Sequence, residues 1–146
     1  MQKSSGSDPS RRKETYQKGR YAEIYLARIL MRYGYAVLRA PASGAKAKRL
    51  PYPDLLAFKN GRILIFEVKR RKKRQAVYLS EDQYSTLMFW KSKGAEVYVA
   101  VRYDVEGPDF LLVPIDCAEE VGDSAPKYRL TVERVLDCGK RVQEVV

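Results

Sequence analysis

The chain has 146 residues, 45% hydrophobic and 32% charged, with two cysteines; this suits one globular domain and excludes a disordered chain or a disulfide scaffold. It has no histidine, which removes His-ligated zinc, His bases and Ser-His-Asp triads, so any hydrolysis must rest on carboxylates, lysine and a hard metal. The net charge of +10 splits into +15 over residues 1–74 and −5 over residues 75–146, a field that attracts a polyanion, nucleic acid foremost.

Residues 1–15 are polar and basic, with Gly6 and Pro9, and read as a flexible arm carrying Arg11, Arg12 and Lys13. They lack the apolar stretch of a secretory signal, and no later run approaches the ~18–20 apolar residues of a membrane span. A cytoplasmic protein with no membrane partner is therefore expected, with residues 16–146 as its single domain. From Tyr16 to Tyr33 the apolar residues Ala22, Leu26, Ile29, Leu30 and Tyr33 follow helical spacing, and Gly34 stands where a C-terminal cap belongs. Tyr35–Arg39 reads as a short strand. Residues 40–53 have no period, three prolines and the cations Lys46, Lys48 and Arg49, and read as a surface loop.

The segments LLAF and RILIFEVK flank Asn60-Gly61, the strongest short hairpin signal. After the run KRRKKR, Ser80 and Gln83 make a capping box that opens a second helix ending at Gly94. EVYVAVR and FLLVPI are further strands. The acidic stretch after Asp116 reads as loop, and residues 127–146 stay open between strand and short helix. Cys117 and Cys138 are expected to be free thiols. The order of elements indicates an α/β sandwich around a mixed sheet.

A two-residue turn at Asn60-Gly61 sets Lys59 opposite Arg62 and, by the same register, Asp54 opposite Glu67. Lys69 shares their face. Two carboxylates about 5 Å apart repel by about 3 kcal/mol at an effective dielectric of ~20. A shared proton, the lysine or a bridging divalent cation relieves that. Both faces of the hairpin are otherwise apolar, so it is expected to be interior, and a metal-dependent site explains the cluster better than structure does. Glu23 flanks the helical stripe and is either a third ligand, directly or through water, or a boundary acid paired with Arg20 or another local cation.

Pro53-Asp54 followed by Glu67-Val68-Lys69 has the form PD…(D/E)xK of restriction-endonuclease-like nucleases. The longer segments KGRYAEIYLARILMRYGYAVLR, SGAKAKRLPYPDLLAF and ILIFEVK, then a helix ending in KG before a Val-rich strand, resemble the archaeal Holliday junction resolvases. The likeness runs from about Lys18 to Tyr103. It implies a restriction-endonuclease-like fold with a central mixed five-stranded sheet flanked by helices. It further implies a Mg²⁺-dependent endonuclease, with Mn²⁺ able to substitute, that resolves four-way DNA junctions by paired nicks in recombination and repair. By position, Glu23, Asp54 and Glu67 would surround the metal, Lys69 would complete the site, and Ser43 would match the serine of the family's mobile loop. Ile24 stands where the family often carries Arg.

Backbone contacts to branched duplex DNA fall to Arg11, Arg12, Lys13, Lys18, Arg39, Lys46, Lys48 and Arg49. The tract Arg70, Arg71, Lys72, Lys73 and Arg74 joins them. No base-reading motif is present. Leu87, Met88, Phe89 and Trp90 sweep most of the way round a helix, more than one core covers, so Phe89 or Trp90 is expected at a homodimer interface. The competing readings are a related repair or restriction nuclease, and a non-catalytic junction-binding paralogue. A pure binder has no need of the repulsive acids.

Overall fold

The computed structural model of the chain describes residues 9–41, 52–122, 124 and 127–146, with side chains from residue 17 onward. Ser43, Lys46, Lys48 and Arg49 lie outside the described residues, and Arg11, Arg12 and Lys13 are described in backbone only. The first helix, α1, spans Pro9–Arg32 and so begins well before Tyr16. The second half of the expected flexible arm is thus helical. Proline suits a first turn, where its missing N–H is not needed, and the Arg, Lys and Glu that follow are good helix formers without apolar spacing. At the other end Gly34 (φ 91°) donates its N–H to Met31, and the Tyr35 N–H reaches back to Leu30. This double bond pattern closes the helix one residue short of Tyr33.

Strands β1 (Ala36–Arg39), β2 (Leu55–Lys59) and β3 (Arg62–Arg71) form an antiparallel meander. Asn60 and Gly61 both take positive φ, 50° and 82°, as a two-residue type I′ turn requires. The register runs from Lys59 opposite Arg62 to Leu55 opposite Phe66, as expected. The chain continues through β4 (Val77–Ser80), α2 (Glu81–Ser92) and β5 (Glu96–Tyr103), which lies parallel to β3 and makes the sheet mixed. Next come β6 (Leu111–Pro114), β7 (Glu119–Val121), β8 (Lys127–Leu130), α3 (Val132–Cys138), β9 (Lys140–Arg141) and α4 (Val142–Val145).

The main sheet has six strands in the order β1-β2-β3-β5-β6-β9, one more than expected, because two residues at β9 pair with Leu111 and Leu112. A second, three-stranded sheet, β4-β8-β7, was not expected: β7 lies where an acidic loop was read, and β4 between the basic run and the second helix. The segment left open between strand and helix holds both.

The main sheet separates two apolar cores. On one side α1 buries Ala22, Leu26 and Leu30 against Leu55, Ala57, Leu64 and Phe66, with Val142 and Val145 of α4. On the other, Leu87 of α2 packs with Ile65, Val97, Val99, Val101, the small sheet and Val135 of α3. The hairpin is interior along β3 but not throughout. Phe58 is 47% exposed and Leu38 70%, since α2 lies over β3 and β5 and leaves the β1–β2 end of that face bare. Cys117 and Cys138 are free, and burial beside Cys138 pushes the Cys117 thiol up to about 11. Among the described residues, no helix is long and apolar enough to cross a membrane.

Candidate active site

The expected pair of acids forms at the open end of the β2–β3 hairpin. Glu67 sits in the middle of β3 and is 8% exposed, the one buried charged residue among those described. Asp54 stands just before β2, where the chain bends. One carboxylate oxygen accepts the Val68 N–H at 2.8 Å, and the Asp54 carbonyl accepts the Ala40 N–H at 3.0 Å. The side chain thus takes the place of a rung in the ladder and is fixed by β3 itself. Lys69, two residues past Glu67 and on its face, brings its ammonium to 3.9 Å from the Glu67 carboxylate.

Burial dominates the electrostatics. It pushes Glu67 up to about 8, with the Asp54 charge adding to the shift and Lys69 opposing it. Asp54 is also raised by burial, against the hydrogen bond from Val68 that favours its charge. Lys69 is lowered by burial, although Glu67 pulls it the other way. Burial of two facing acids thus disfavours two full negative charges and favours neutralisation of the pair. A pair of hard carboxylate oxygens that prefers neutralisation fits a hard divalent cation and offers nothing to a soft one.

Glu23 occupies a different place. It projects from α1, on the opposite face of the sheet, and accepts the Arg39 guanidinium at 2.9 Å. Arg39 is aligned opposite Leu55, whose side chain belongs to the α1 core. The partner of the boundary acid is thus a long-range one, with Arg20 contributing a weaker attraction. Burial and the nearby Asp54 still raise Glu23 to about 7, so it feels the acid pair around the end of β2. Among the described residues, no three acidic or cysteine side chains stand together as a ready-made ion-holding set.

One residue of the cluster was read from sequence only as a cap. Gln83, at the third position of α2, accepts the Ser80 N–H at 3.0 Å and returns its own N–H to the Ser80 hydroxyl. Its amide also accepts Lys69 at 3.3 Å and donates to Glu67 at 3.3 Å. The capping spacing accounts for the residue locally, which hid its second set of partners.

The basic tract is divided by the fold. Arg70 donates to Asp104 at 2.9 Å and to the Lys18 carbonyl, and Arg74 pairs with Glu106 at 2.7 Å. Lys72 and Lys73 are exposed, and Arg71 is half-buried, with its guanidinium on the Arg70 carbonyl. On α2, Tyr84, Met88 and Trp90 pack against the core around Leu87, whereas Phe89 is 48% exposed. Phe89 meets Trp90 edge-on and carries Lys93 over its ring.

A mixed sheet between helical layers, with an acid pair and a lysine at the end of its central hairpin, defines the restriction-endonuclease-like nuclease fold. The chain belongs to the archaeal Holliday junction resolvase (Hjc) family, whose model matches residues 14–138. It is 40% identical over 86 residues to the crossover junction endodeoxyribonuclease Hjc of Sulfurisphaera tokodaii, and 37% identical over 86 residues to that of Sulfolobus acidocaldarius. Each alignment spans 58% of this chain and 59% of the relative, so the matched part is under two-thirds of those proteins' length. The structure of Archaeoglobus fulgidus Hjc, described as a Holliday junction resolvase from an archaeal hyperthermophile, superposes with a TM-score of 0.70 at 29% identity. That match covers 88% of this chain and 94% of the other.

Proposed function

We propose that the chain is a divalent-metal-dependent endonuclease that resolves four-way DNA junctions by paired nicks, acting as a homodimer in the cytoplasm. The observation that carries this reading is the buried Glu67 beside Asp54, whose carboxylate is held by the Val68 N–H, with the Lys69 ammonium 3.9 Å from Glu67. Support comes from the family and from relatives named crossover junction endodeoxyribonucleases.

Asp54 and Glu67 would hold Mg²⁺, with Mn²⁺ as a substitute, and Glu23 would join them directly or through water once released by Arg39. The ion, when bound, supplies positive charge to the scissile phosphate and lowers the pKa of water. Every other part belongs to the chain. Burial of Glu67 makes exchange of its proton for a cation favourable near neutral pH. Lys69 places a compact ammonium where negative charge grows on the phosphate, and that interaction is strengthened by the low dielectric of its surroundings. Lys72 and Lys73, free of the ion pairs that hold Arg70 and Arg74, are the members of the tract best placed to meet duplex backbone. Lys18, Arg39, Arg70, Arg71 and Arg74 would assist, as would the cations outside the described side chains, Arg11, Arg12, Lys13, Lys46, Lys48 and Arg49. Ser43, outside the described residues, would assist at the phosphate.

Support for a dimer comes from the apolar residues left exposed on the α2 side, Leu38, Phe58 and Phe89, with Trp90 against Phe89. An isologous pair presents two sites to symmetric strands. Phe89→Asp is expected to give monomers by sedimentation and to uncouple the two nicks.

A cleavage assay on a four-way junction, with and without Mg²⁺, tests the proposal. Paired nicks that require the metal are expected. Binding without nicking would identify a junction-binding paralogue instead, and equal cutting of linear duplex a nuclease with another target.

A further inference from the structure

Gln83 does more than cap a helix. A capping box needs its side-chain oxygen to accept the Ser80 N–H and nothing else. The same amide here reaches across to β3, where its oxygen accepts the Lys69 ammonium and its nitrogen donates to the Glu67 carboxyl, both at 3.3 Å. The direct approach of Lys69 to Glu67 is longer, at 3.9 Å. The amide's orientation is set by its neighbours: two donors, the Ser80 N–H and Lys69, converge on the oxygen, which turns the NH₂ toward Glu67. The Ser80 hydroxyl accepts the Gln83 backbone N–H at 3.1 Å, a bond that caps the helix and does not involve the amide.

We propose that Gln83 is a positioning residue, which fixes the Glu67 carboxyl and the Lys69 ammonium in the relative placement that metal binding and phosphate cleavage use. The inference rests on the reading of this cluster as a nuclease site. A neutral amide suits the task, because it bonds to a cation and an acid at once without adding charge to a buried group that already repels a second acid. A glutamate at the same position keeps the capping box, since it is the commonest third residue of that motif, but turns a donor facing Glu67 into another carboxylate. The two duties of Gln83 are therefore separable by substitution.

Three variants test this: Gln83→Met, which removes the amide; Gln83→Glu, which restores the cap alone; and Ser80→Ala, which weakens the cap and leaves the amide. Each is read by melting temperature, by Mn²⁺ affinity of the DNA-free protein in titration calorimetry, by junction affinity, and by single-turnover cleavage. Gln83→Met is expected to lose about tenfold or more in Mn²⁺ affinity or cleavage rate, in line with residues that orient metal ligands, with junction affinity kept. Gln83→Glu is expected to keep the capping bond, to melt no higher than the wild type because of the added carboxylate, and to cleave about tenfold more slowly. Ser80→Ala is expected to melt as low as Gln83→Met while keeping Mn²⁺ affinity and cleavage rate within about twofold, since capping touches stability alone. If Gln83→Glu cleaves at the wild-type rate, if Gln83→Met is unimpaired, or if Ser80→Ala is as impaired as Gln83→Met, capping explains the residue and the proposal falls. A wild-type protein that neither binds Mn²⁺ nor cuts the junction would instead overturn the nuclease reading on which it rests.

Discussion

The two ends of the β2–β3 hairpin carry similar residues in opposite states. At the turn end, Arg62 meets Glu96 through two nitrogens at 2.7 and 3.0 Å, bonds the Tyr35 hydroxyl at 3.0 Å and donates to the Val145 carbonyl. The hydrogen bonds from that guanidinium hold the Glu96 carboxyl below the usual range. At the open end, Glu67 faces a second acid in a buried setting and is pushed up to about 8. The first cluster is closed on itself and half-exposed; the second is buried, and the chain supplies it with less positive charge than it accommodates. A carboxylate that its own fold satisfies is a piece of structure. One that the fold buries opposite another acid is prepared for a ligand.

Asp54→Asn and Glu67→Gln attack the second cluster directly and should have the largest effect. Nicking is expected to fall on the order of 10³-fold, at the upper end of what loss of one preorganised charged group costs. Junction binding should persist or tighten, because a negative charge near phosphate is gone. A variant that cuts at the wild-type rate in a gel assay would break the contrast. Lys69→Ala is the next largest: about a hundredfold loss of cleavage with Mn²⁺ affinity largely kept, as calorimetry would show.

The contrast also has a sign in pH. Glu67 has a folded pKa above its unfolded one, so the folded state binds the extra proton. Metal-free protein should therefore lose stability as pH rises from about 4.5 to about 8. Glu96 has a lowered folded pKa, so its contribution is present above the unfolded value and is lost as pH falls through the folded one. Melting temperatures across that range should show a fall, to which the raised Glu23 and Asp54 also contribute, that Glu67→Gln reduces and Glu96→Gln leaves in place. The smallest effect belongs to Arg62→Met, which should cost about 1 kcal/mol, as partly exposed ion pairs do, and leave cleavage unchanged.

How much of this was legible depended on range along the chain. Asn60-Gly61 and the alternation on either side fixed the hairpin register, and the register alone put Asp54 and Glu67 together. The small sheet was not legible, because β4, β7 and β8 are three or four residues long, too short for any period to show. The start of α1 escaped for another reason: its polar first turns form a helix by propensity, and an apolar stripe is silent there. Glu23 and Arg39 lie 16 residues apart on different elements, so only tertiary packing chooses between Arg39 and the nearer Arg20. Gln83 was legible as a cap and does cap α2, but its bonds to Lys69 and Glu67 cross between elements 14 and 16 residues apart, which local spacing does not show.

The tight turn at Asn60-Gly61 makes the chemistry sensitive to loop length at a distance. Surface turns ordinarily accept an inserted residue with little harm. Here five pairs of the ladder separate the turn from the acids, roughly 17 Å at the usual rise per residue. One extra residue in that turn that shifted the register by one would set a different side chain opposite Asp54 and send Glu67 to the α1 core, because neighbouring strand residues point to opposite faces. The remote end of the hairpin thus acts as the gauge for the site, and its two-residue length is as much a part of the proposed active centre as the acids it aligns.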